Sequence, residues 1–237
     1  MSFTLRSLAF DGPARPDASA SVGSTCDQTR PRVGPGPVPL VPSERDSRPV
    51  ASGTLRSVDE DLVIRSERLD LPLLSLAQLE RLAAGDASTV GAELGATFSA
   101  EWVDDVRGLA ARRAQQLRQQ PDDGPWLLRP ILLRSANGVS PGTALGYLNF
   151  HGAPDEHGMV EIGYMLLPET RAQGYAIEAV RAAFDWATRV HGIRRFRASV
   201  SPDNERSLNL VSKLGFRQTG DQWDDEDGLE LVFELEI

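Results

Sequence analysis

The sequence predicts an α/β protein: one domain built on a mixed α+β sheet with helices on both faces, behind a disordered amino-terminal tail. Three observations lead there. Segments with strand-like alternation and segments with helical periodicity interleave from residue 58 to residue 237, an order that layers helices on a sheet. The strand-sized runs 126–134 and 143–150 flank Ser135-Ala136-Asn137-Gly138, whose Asn-Gly pair favours a tight hairpin. Residues 1–57 carry Pro13, Pro16, Pro31, Pro35, Pro37, Pro39, Pro42 and Pro49 among Gly, Ser and Arg, with no period and too few large apolar groups to offset the entropy of ordering.

Each element of the domain has its own local reason. A first strand near 61–71 leads to a helix starting around Leu76. Phe98, Trp102, Val106, Leu109 and Leu117 fall roughly on one face and predict a longer helix over 98–118. The hairpin strands follow, then a fourth strand over 159–167. A helix over 174–190 carries Ile177, Val180, Phe184 and Ala187 at helical spacing, a stripe assigned to core packing, and His191-Gly192 ends it. Phe196, Ala198 and Val200 alternate as in a strand. Pro202-Asp203-Asn204 then caps a short helix that stops at Gly215. Strands at 215–219 and 229–236 flank an acidic loop, Asp221-Gln222-Trp223-Asp224-Asp225-Glu226-Asp227-Gly228. No internal repeat is visible.

Composition narrows the function classes. The 237 residues carry a formal net charge of −9 and one cysteine, Cys26. A single thiol excludes an internal disulfide framework and a cysteine-rich zinc site. His151 and His157 lack a third ligand at suitable spacing, so no metal is expected. No apolar run reaches the roughly 18 residues that span a bilayer, and no basic-then-apolar signal opens the chain. The expectation is a cytoplasmic protein without a membrane partner. The negative charge repels phosphate backbones, which argues against nucleic acid. The tail 1–57 also admits a partner-binding polyproline role, or an origin upstream of a natural start site. The domain, 58–237, is long enough to bury about 70% of its unfolded surface around one core.

Most of the chemistry is concentrated in two segments. In Gly163-Tyr164-Met165-Leu166-Leu167-Pro168-Glu169-Thr170-Arg171-Ala172-Gln173-Gly174-Tyr175-Ala176, an apolar strand runs through a Pro-bounded turn into a helix. Gly174 removes the side chain where a backbone approaches a ligand, and the helix start directs unpaired N–H groups at an anion. A glycine before a helix is also an ordinary turn residue. The second segment, Asn204-Glu205-Arg206-Ser207 through Lys213-Leu214-Gly215-Phe216, supplies the context.

Together the two segments resemble the GNAT superfamily of N-acetyltransferases, in which Arg/Gln-x-x-Gly-x-Gly/Ala binds the acetyl-CoA pyrophosphate and Asn-x-x-Ser precedes Gly-Phe. Ile64-Arg65-Ser66-Glu67-Arg68-Leu69-Asp70-Leu71 and Glu161-Ile162-Gly163-Tyr164 look like strands of its RimJ/RimL-like branch. The resemblance spans roughly residues 60–237. It implies the GNAT fold, acetyl-CoA as co-substrate, and a central strand that splays from its neighbour at a bulge. It assigns the main chains of Met165, Leu166 and Leu167 to the pantetheine arm, and the amides of Gln173, Gly174, Tyr175 and Ala176 to the phosphates. Arg171 adds positive charge, or is a solvated surface arginine. Asn204 meets a pantetheine amide, caps its helix, or does both.

Acetyl transfer also needs a neutral amine. At pH 7 a lysine-like amine loses its proton at a cost of about 4–5 kcal/mol, an α-amine at about 1. Glu161, the one carboxylate in an apolar strand, is the candidate base; the alternative is a strand carboxylate facing water or an arginine. Many family members carry a tyrosine acid before Gly-Phe, but aligning on Asn204 and Gly215-Phe216 puts Val211 there, and valine donates no proton. By resemblance Ser207 takes the thiolate, with Tyr164 and Tyr175 as possible substitutes. The branch favours a peptide or protein N-terminal α-amine over a small-molecule amine such as an antibiotic or polyamine. A non-catalytic acyl-CoA-binding module is the competing class. The acidic loop either draws cationic acceptors or is a solvated turn; Trp102, Trp126 and Trp186 are assigned to packing, and Trp223 within the loop is a candidate to line the acceptor pocket. A monomer or a homodimer fits equally.

Overall fold

The structure, a computed structural model, describes residues 62–134, 140–225 and 228–237. The tail 1–57, Cys26, the turn 135–138 and the end of the acidic run at 226–227 lie outside the described residues. Eight strands form one sheet in the order β1-β2-β3-β4-β5-β6-β8-β7. They are β1 (Val63–Arg65), β2 (Leu69–Pro72), β3 (Arg129–Leu133), β4 (Ala144–Phe150), β5 (Met159–Leu166), β6 (Arg195–Val200), β7 (Arg217–Asp224) and β8 (Gly228–Glu236). The helices are α1 (Leu76–Ala84), α2 (Ala87–Leu94), α3 (Ala100–Gln119), α4 (Tyr175–His191) and α5 (Glu205–Leu214). Among the named strands of the described residues, only β5 and β6 pair in parallel, across the crossover helix α4, so the sheet is mixed as expected.

Two apolar layers cover the sheet. Val160, Ile162 and Leu166 of β5 join Val180, Phe184 and Ala187 of α4 and Val211 of α5 in one cluster. Met165 and Leu167 join Leu79 and Leu82 of α1, Val90 of α2 and Trp102 and Val106 of α3 in the other. This is the period-2 alternation of a strand buried on both sides. Among the described residues, no helix is long and apolar enough to cross a membrane.

Four local expectations need correction. The first strand is a hairpin, with Ser66 N–H donating to Leu69 O at 2.9 Å across a turn that lacks Gly, Pro and Asn. Helix α2 went unforeseen because Ser, Thr, Val and Gly weaken its intrinsic propensity. It forms because Asp86 caps it by accepting from Thr89 N–H, Gly95 ends it, and Val90 and Gly91 are buried. Asp221–Asp224 of the acidic loop are strand, paired from Asp221↔Leu231 to Asp224↔Gly228. Acidic residues are tolerated there because β7 is the exposed sheet edge, where charge also blocks pairing with other chains. Finally, Ile177 leaves the core stripe of α4 and lines a cavity instead.

The arrangement of β5 positions that cavity. It pairs with β4 in continuous register from Ile162↔Phe150 to Leu166↔Gly146, but with β6 only over Met159–Glu161. Beyond Glu161 the two strands part, while β6 stays paired with β8 to Val200. The separation therefore involves no bulge within the regular β4–β5 ladder. Gly146 lets β5 lean onto β4: a Cβ at that position would stand 1.9 Å from Met165 O.

Candidate functional site

The wedge between β5 and β6 opens into a cavity of about 550 Å³, walled by β5, the start of α4 and one face of α5. Its volume falls within the usual range for a ligand site. In a strand, alternate residues direct their backbone groups to opposite edges. Leu167 N–H donates to Leu145 O at 2.9 Å and Glu161 O accepts from His151 N–H at 2.9 Å, so odd-numbered residues of β5 face β4. Tyr164 and Leu166 then turn their backbone groups toward the wedge. Of the three residues expected to offer their main chain, Leu166 therefore turns its backbone groups to the wedge, as does Tyr164, which the sequence reading did not assign, whereas Met165 and Leu167 turn theirs to β4. Met165 still borders the cavity, whereas Leu167 does not.

At the mouth, the turn Pro168–Thr170 is pinned to the sheet by Thr170 Oγ1, which donates to Leu145 O at 3.0 Å and Leu167 O at 2.8 Å. Arg171 Nε donates to Leu166 O at 2.8 Å, which fixes its guanidinium against the cavity wall. Ala172 is the one non-glycine residue at positive φ among the described residues, at 59°, and Gly174 stands as the N-cap of α4 at 82°. The helical ladder begins with Glu178 N–H to Gly174 O at 3.1 Å, so the preceding amides of α4 have no partner within the helix. Arg171, Gly174, Tyr175 and Ala176 all line the cavity. Gln173 does not: its side chain folds back to Glu169 O at 3.2 Å, and its carbonyl accepts from Arg68 Nη1 at 3.2 Å.

Arg68 ties this mouth to the β1–β2 turn. Its Nε donates to Glu178 at 2.6 Å, and Glu178 also accepts from Arg68 N–H at 2.8 Å and Ser66 Oγ at 2.6 Å. The guanidinium lies 4.5 Å from the centre of the Tyr175 ring, a cation–π contact. Burial alone would raise the Glu178 pKa, but the bonds from Ser66 and Arg68 and the Arg68 charge outweigh it and hold the carboxyl below its ordinary 4.5. A carboxylate with a depressed folded pKa stabilises above its unfolded value, and the contribution disappears as pH falls through the folded one. In urea titrations, the stability gap between wild type and Glu178→Gln is expected to be constant from pH 8 to pH 5 and to shrink only below about 4.5. A gap that already closes at pH 6 would contradict this clamp.

Deeper in the cavity, Tyr164 Oη and Ser207 Oγ stand 3.2 Å apart. Burial pushes the Tyr164 phenol up from its usual value, against a smaller lowering from Ser207, so both hydroxyls are protonated at neutral pH. Asn204 caps α5 by accepting from Ser207 N–H at 3.2 Å and also borders the cavity. Val211 is 3% exposed within the apolar core, where a tyrosine would not fit without repacking.

Glu161 projects to the opposite sheet face, outside that cavity wall. Its Oε1 accepts from Ser199 Oγ at 2.7 Å and lies 3.7 Å from His151 Nδ1. Gln222 Nε2 donates to Ser199 Oγ at 3.2 Å and to Glu230 at 3.0 Å. A polar chain thus runs from His151 to the buried Glu230. Gly163 leaves space beside it, since a Cβ there would meet Asn149 Nδ2 at 3.1 Å and His151 Nε2 at 3.2 Å. Burial lowers the His151 pKa, Glu161 partly restores it, and Arg113 lowers it further. Ser199, Gln222 and Glu230 were missed by sequence reasoning; the Gln222–Glu230 cross-strand pair is visible only once 221–224 is taken as strand. The two histidines do not converge: His157 lies beside the exposed Glu156 instead. Trp223 is 75% exposed on β7 and does not line the cavity.

Comparison with known proteins gives this site its context. Residues 70–217 match the family model described as Acetyltransferase (GNAT) domain. The chain belongs to the GNAT acetyltransferase family. The uncharacterized N-acetyltransferase YjdG of Bacillus subtilis (strain 168) is 28% identical over 153 residues, which is 65% of this chain and 85% of that protein. YoaA of the same strain, also an uncharacterized N-acetyltransferase, is 34% identical over 76 residues, 32% of this chain and 43% of its own length. The structure titled RimL, ribosomal L7/L12 alpha-N-protein acetyltransferase, superposes with a TM-score of 0.50 at 17% identity, covering 74% of this chain and 94% of that one. The same protein solved with coenzyme A superposes equally, at 0.50 and 18% identity, over 74% of this chain and 98% of that one. These likenesses establish the GNAT fold, and the RimJ/RimL-like branch fits them.

Proposed function

We propose that this protein transfers the acetyl group of acetyl-CoA directly to a primary amine, with peptide or protein N-terminal α-amines as the acceptor class, and that the domain 58–237 carries the activity. The observation that supports it most is the wedge itself. Its walls offer a strand edge that β6 leaves unpaired at Tyr164 and Leu166, where Leu166 O accepts only from Arg171 Nε, a helix start with unpaired amides, and a pair of protonated hydroxyls. An extended ligand with amide groups adds to such an edge as a further strand would. The amides of Gly174, Tyr175 and Ala176, with Arg171, suit a pyrophosphate, and Asn204 stands beside the path for a further amide contact.

When bound, acetyl-CoA supplies an activated acyl carbon and a thiolate leaving group. Ser207 and Tyr164 orient that sulfur and protonate it as the C–S bond breaks and the C–N bond forms. Tyr164 supplies from β5 the phenol that position 211, a buried valine, lacks. Glu161 takes up the proton that the amine sheds. An α-amine needs only about 1 kcal/mol to become neutral at pH 7, so one carboxylate without a metal suffices. This economy favours α-amines over lysine-like amines.

The test is release of coenzyme A thiol with a panel of amino-terminal peptides, polyamines and aminoglycosides. Peptides are expected to turn over fastest. Tyr164→Phe and Ser207→Ala are each expected to lower kcat by roughly 10- to 100-fold while acetyl-CoA affinity changes little. Fastest turnover with a polyamine or an antibiotic would move the acceptor class. Tight coenzyme binding with no acceptor consumed would replace the enzyme reading with a non-catalytic acyl-CoA-binding module.

A further inference from the structure

Glu161 sits at the throat of the wedge, the last residue of β5 that pairs with β6, opposite Arg197. Ser199 follows two residues beyond Arg197 on the same strand face, and is buried. Its Oγ donates to Glu161 Oε1 at 2.7 Å. A serine hydroxyl carries one hydrogen, which rotation could aim elsewhere. A second contact removes that freedom. Gln222 Nε2 donates to the same Oγ at 3.2 Å, so the hydroxyl meets Gln222 with a lone pair and turns its hydrogen to Glu161. The amide nitrogen of Gln222 also donates to Glu230 Oε2 at 3.0 Å. A carboxylate only accepts, so the buried Glu230 keeps the nitrogen end of the Gln222 amide turned toward Ser199. Donation therefore runs outward from Gln222, to Glu230 on one side and through Ser199 to Glu161 on the other. His151 Nδ1, 3.7 Å from Glu161 Oε1, is beyond hydrogen-bond range. Ser199 is thus the donor that fixes the rotation of the Glu161 carboxyl.

Resting on the reading of Glu161 as the base in the acetyl transfer above, we infer that Ser199 is a positioning residue for that transfer, and that Gln222 and Glu230 set the direction of its hydroxyl. As the amine nitrogen bonds to the acyl carbon and the C–S bond breaks, the amine proton passes to Glu161 Oε2, the oxygen that Ser199 leaves open. Ser199 keeps its own proton and acts through Glu161. With Oε1 held, Oε2 presents one orientation to the amine; without the hydroxyl the carboxyl rotates, and a misaligned base is a slow one.

The experiment follows release of coenzyme A thiol by the full chain with a peptide acceptor, at enzyme concentrations high enough to time slow variants. Ser199→Ala is expected to lower kcat by about 10- to 100-fold and to leave the KM for acetyl-CoA nearly unchanged. Ser199→Thr, which keeps a hydroxyl, is expected to recover to within about threefold of wild type. Gln222→Met, on the exposed strand β7, leaves the core intact and is expected to cost about 3- to 10-fold in kcat. In a Glu161→Gln background, Ser199→Ala is expected to cost less than about twofold more, because residues that act through one another are not additive. An equally large loss in that background, or a wild-type kcat in Ser199→Ala, overturns the positioning role and leaves the acetyl-transfer reading standing. An unchanged kcat in Gln222→Met removes Gln222 and Glu230 from it. Absence of turnover by wild type with every acceptor overturns that reading and this inference with it.

Discussion

Gly174→Asp is expected to lower acetyl-CoA affinity by at least about 100-fold while the domain stays folded. Aspartate is a favoured N-cap residue and tolerates left-handed backbone better than most side chains, so the φ of 82° at this position does not prevent α4 from forming. A Cβ there meets only Arg68 Nη2, at 3.4 Å, the end of a flexible side chain. The new carboxylate, however, faces the seat assigned to the diphosphate. Two unit charges about 5 Å apart at an effective dielectric near 20 repel by about 3 kcal/mol, which corresponds to a factor of more than 100. Calorimetry measures the loss, and thermal unfolding shows whether the fold persists. A folded variant that takes up acetyl-CoA as wild type does would remove the basis for the proposed function.

Glu161→Gln is expected to cut kcat by about 10²- to 10⁴-fold, the usual contribution of a general base, and to leave the KM for acetyl-CoA nearly unchanged. The two effects separate because Glu161 lies on the sheet face opposite the cavity wall. Glutamine keeps the size of the side chain and can still accept from Ser199 Oγ, now 2.7 Å from Glu161 Oε1, so packing is preserved while the proton acceptor is lost. Activity within threefold of wild type would assign proton uptake to another group.

The local signals in this chain were strong where a single turn decides the outcome. Gly192 and Gly215 end α4 and α5 in left-handed conformations, at φ 74° and 88°, and Asn204 caps α5. These effects act within a few residues, so α4, β6 and α5 were legible together with the glycine-capped start of α4. The β1–β2 hairpin was not. Its turn is held partly by Glu178, 110 residues away from Arg68, and no local turn signal marks it. β7 was hidden for a related reason: aspartate disfavours strands in general, and only its position at the exposed edge makes it acceptable. Helix α2 needed the burial of Val90 and Gly91 against a neighbouring layer to offset its weak propensity.

By itself, the sequence determined the types and order of most elements and the glycine cap that opens α4, and it nominated Glu161, Asn204 and Ser207 as candidate site residues. These depend on side-chain type and short spacing, which the chain carries with it. Tertiary structure alone decided that β5 leaves β6 after Glu161, that Tyr164 meets Ser207 across 43 positions, and that Glu161 joins Ser199, Gln222 and Glu230. Each of these is set by the register and packing of segments far apart in the chain, where no local preference reaches.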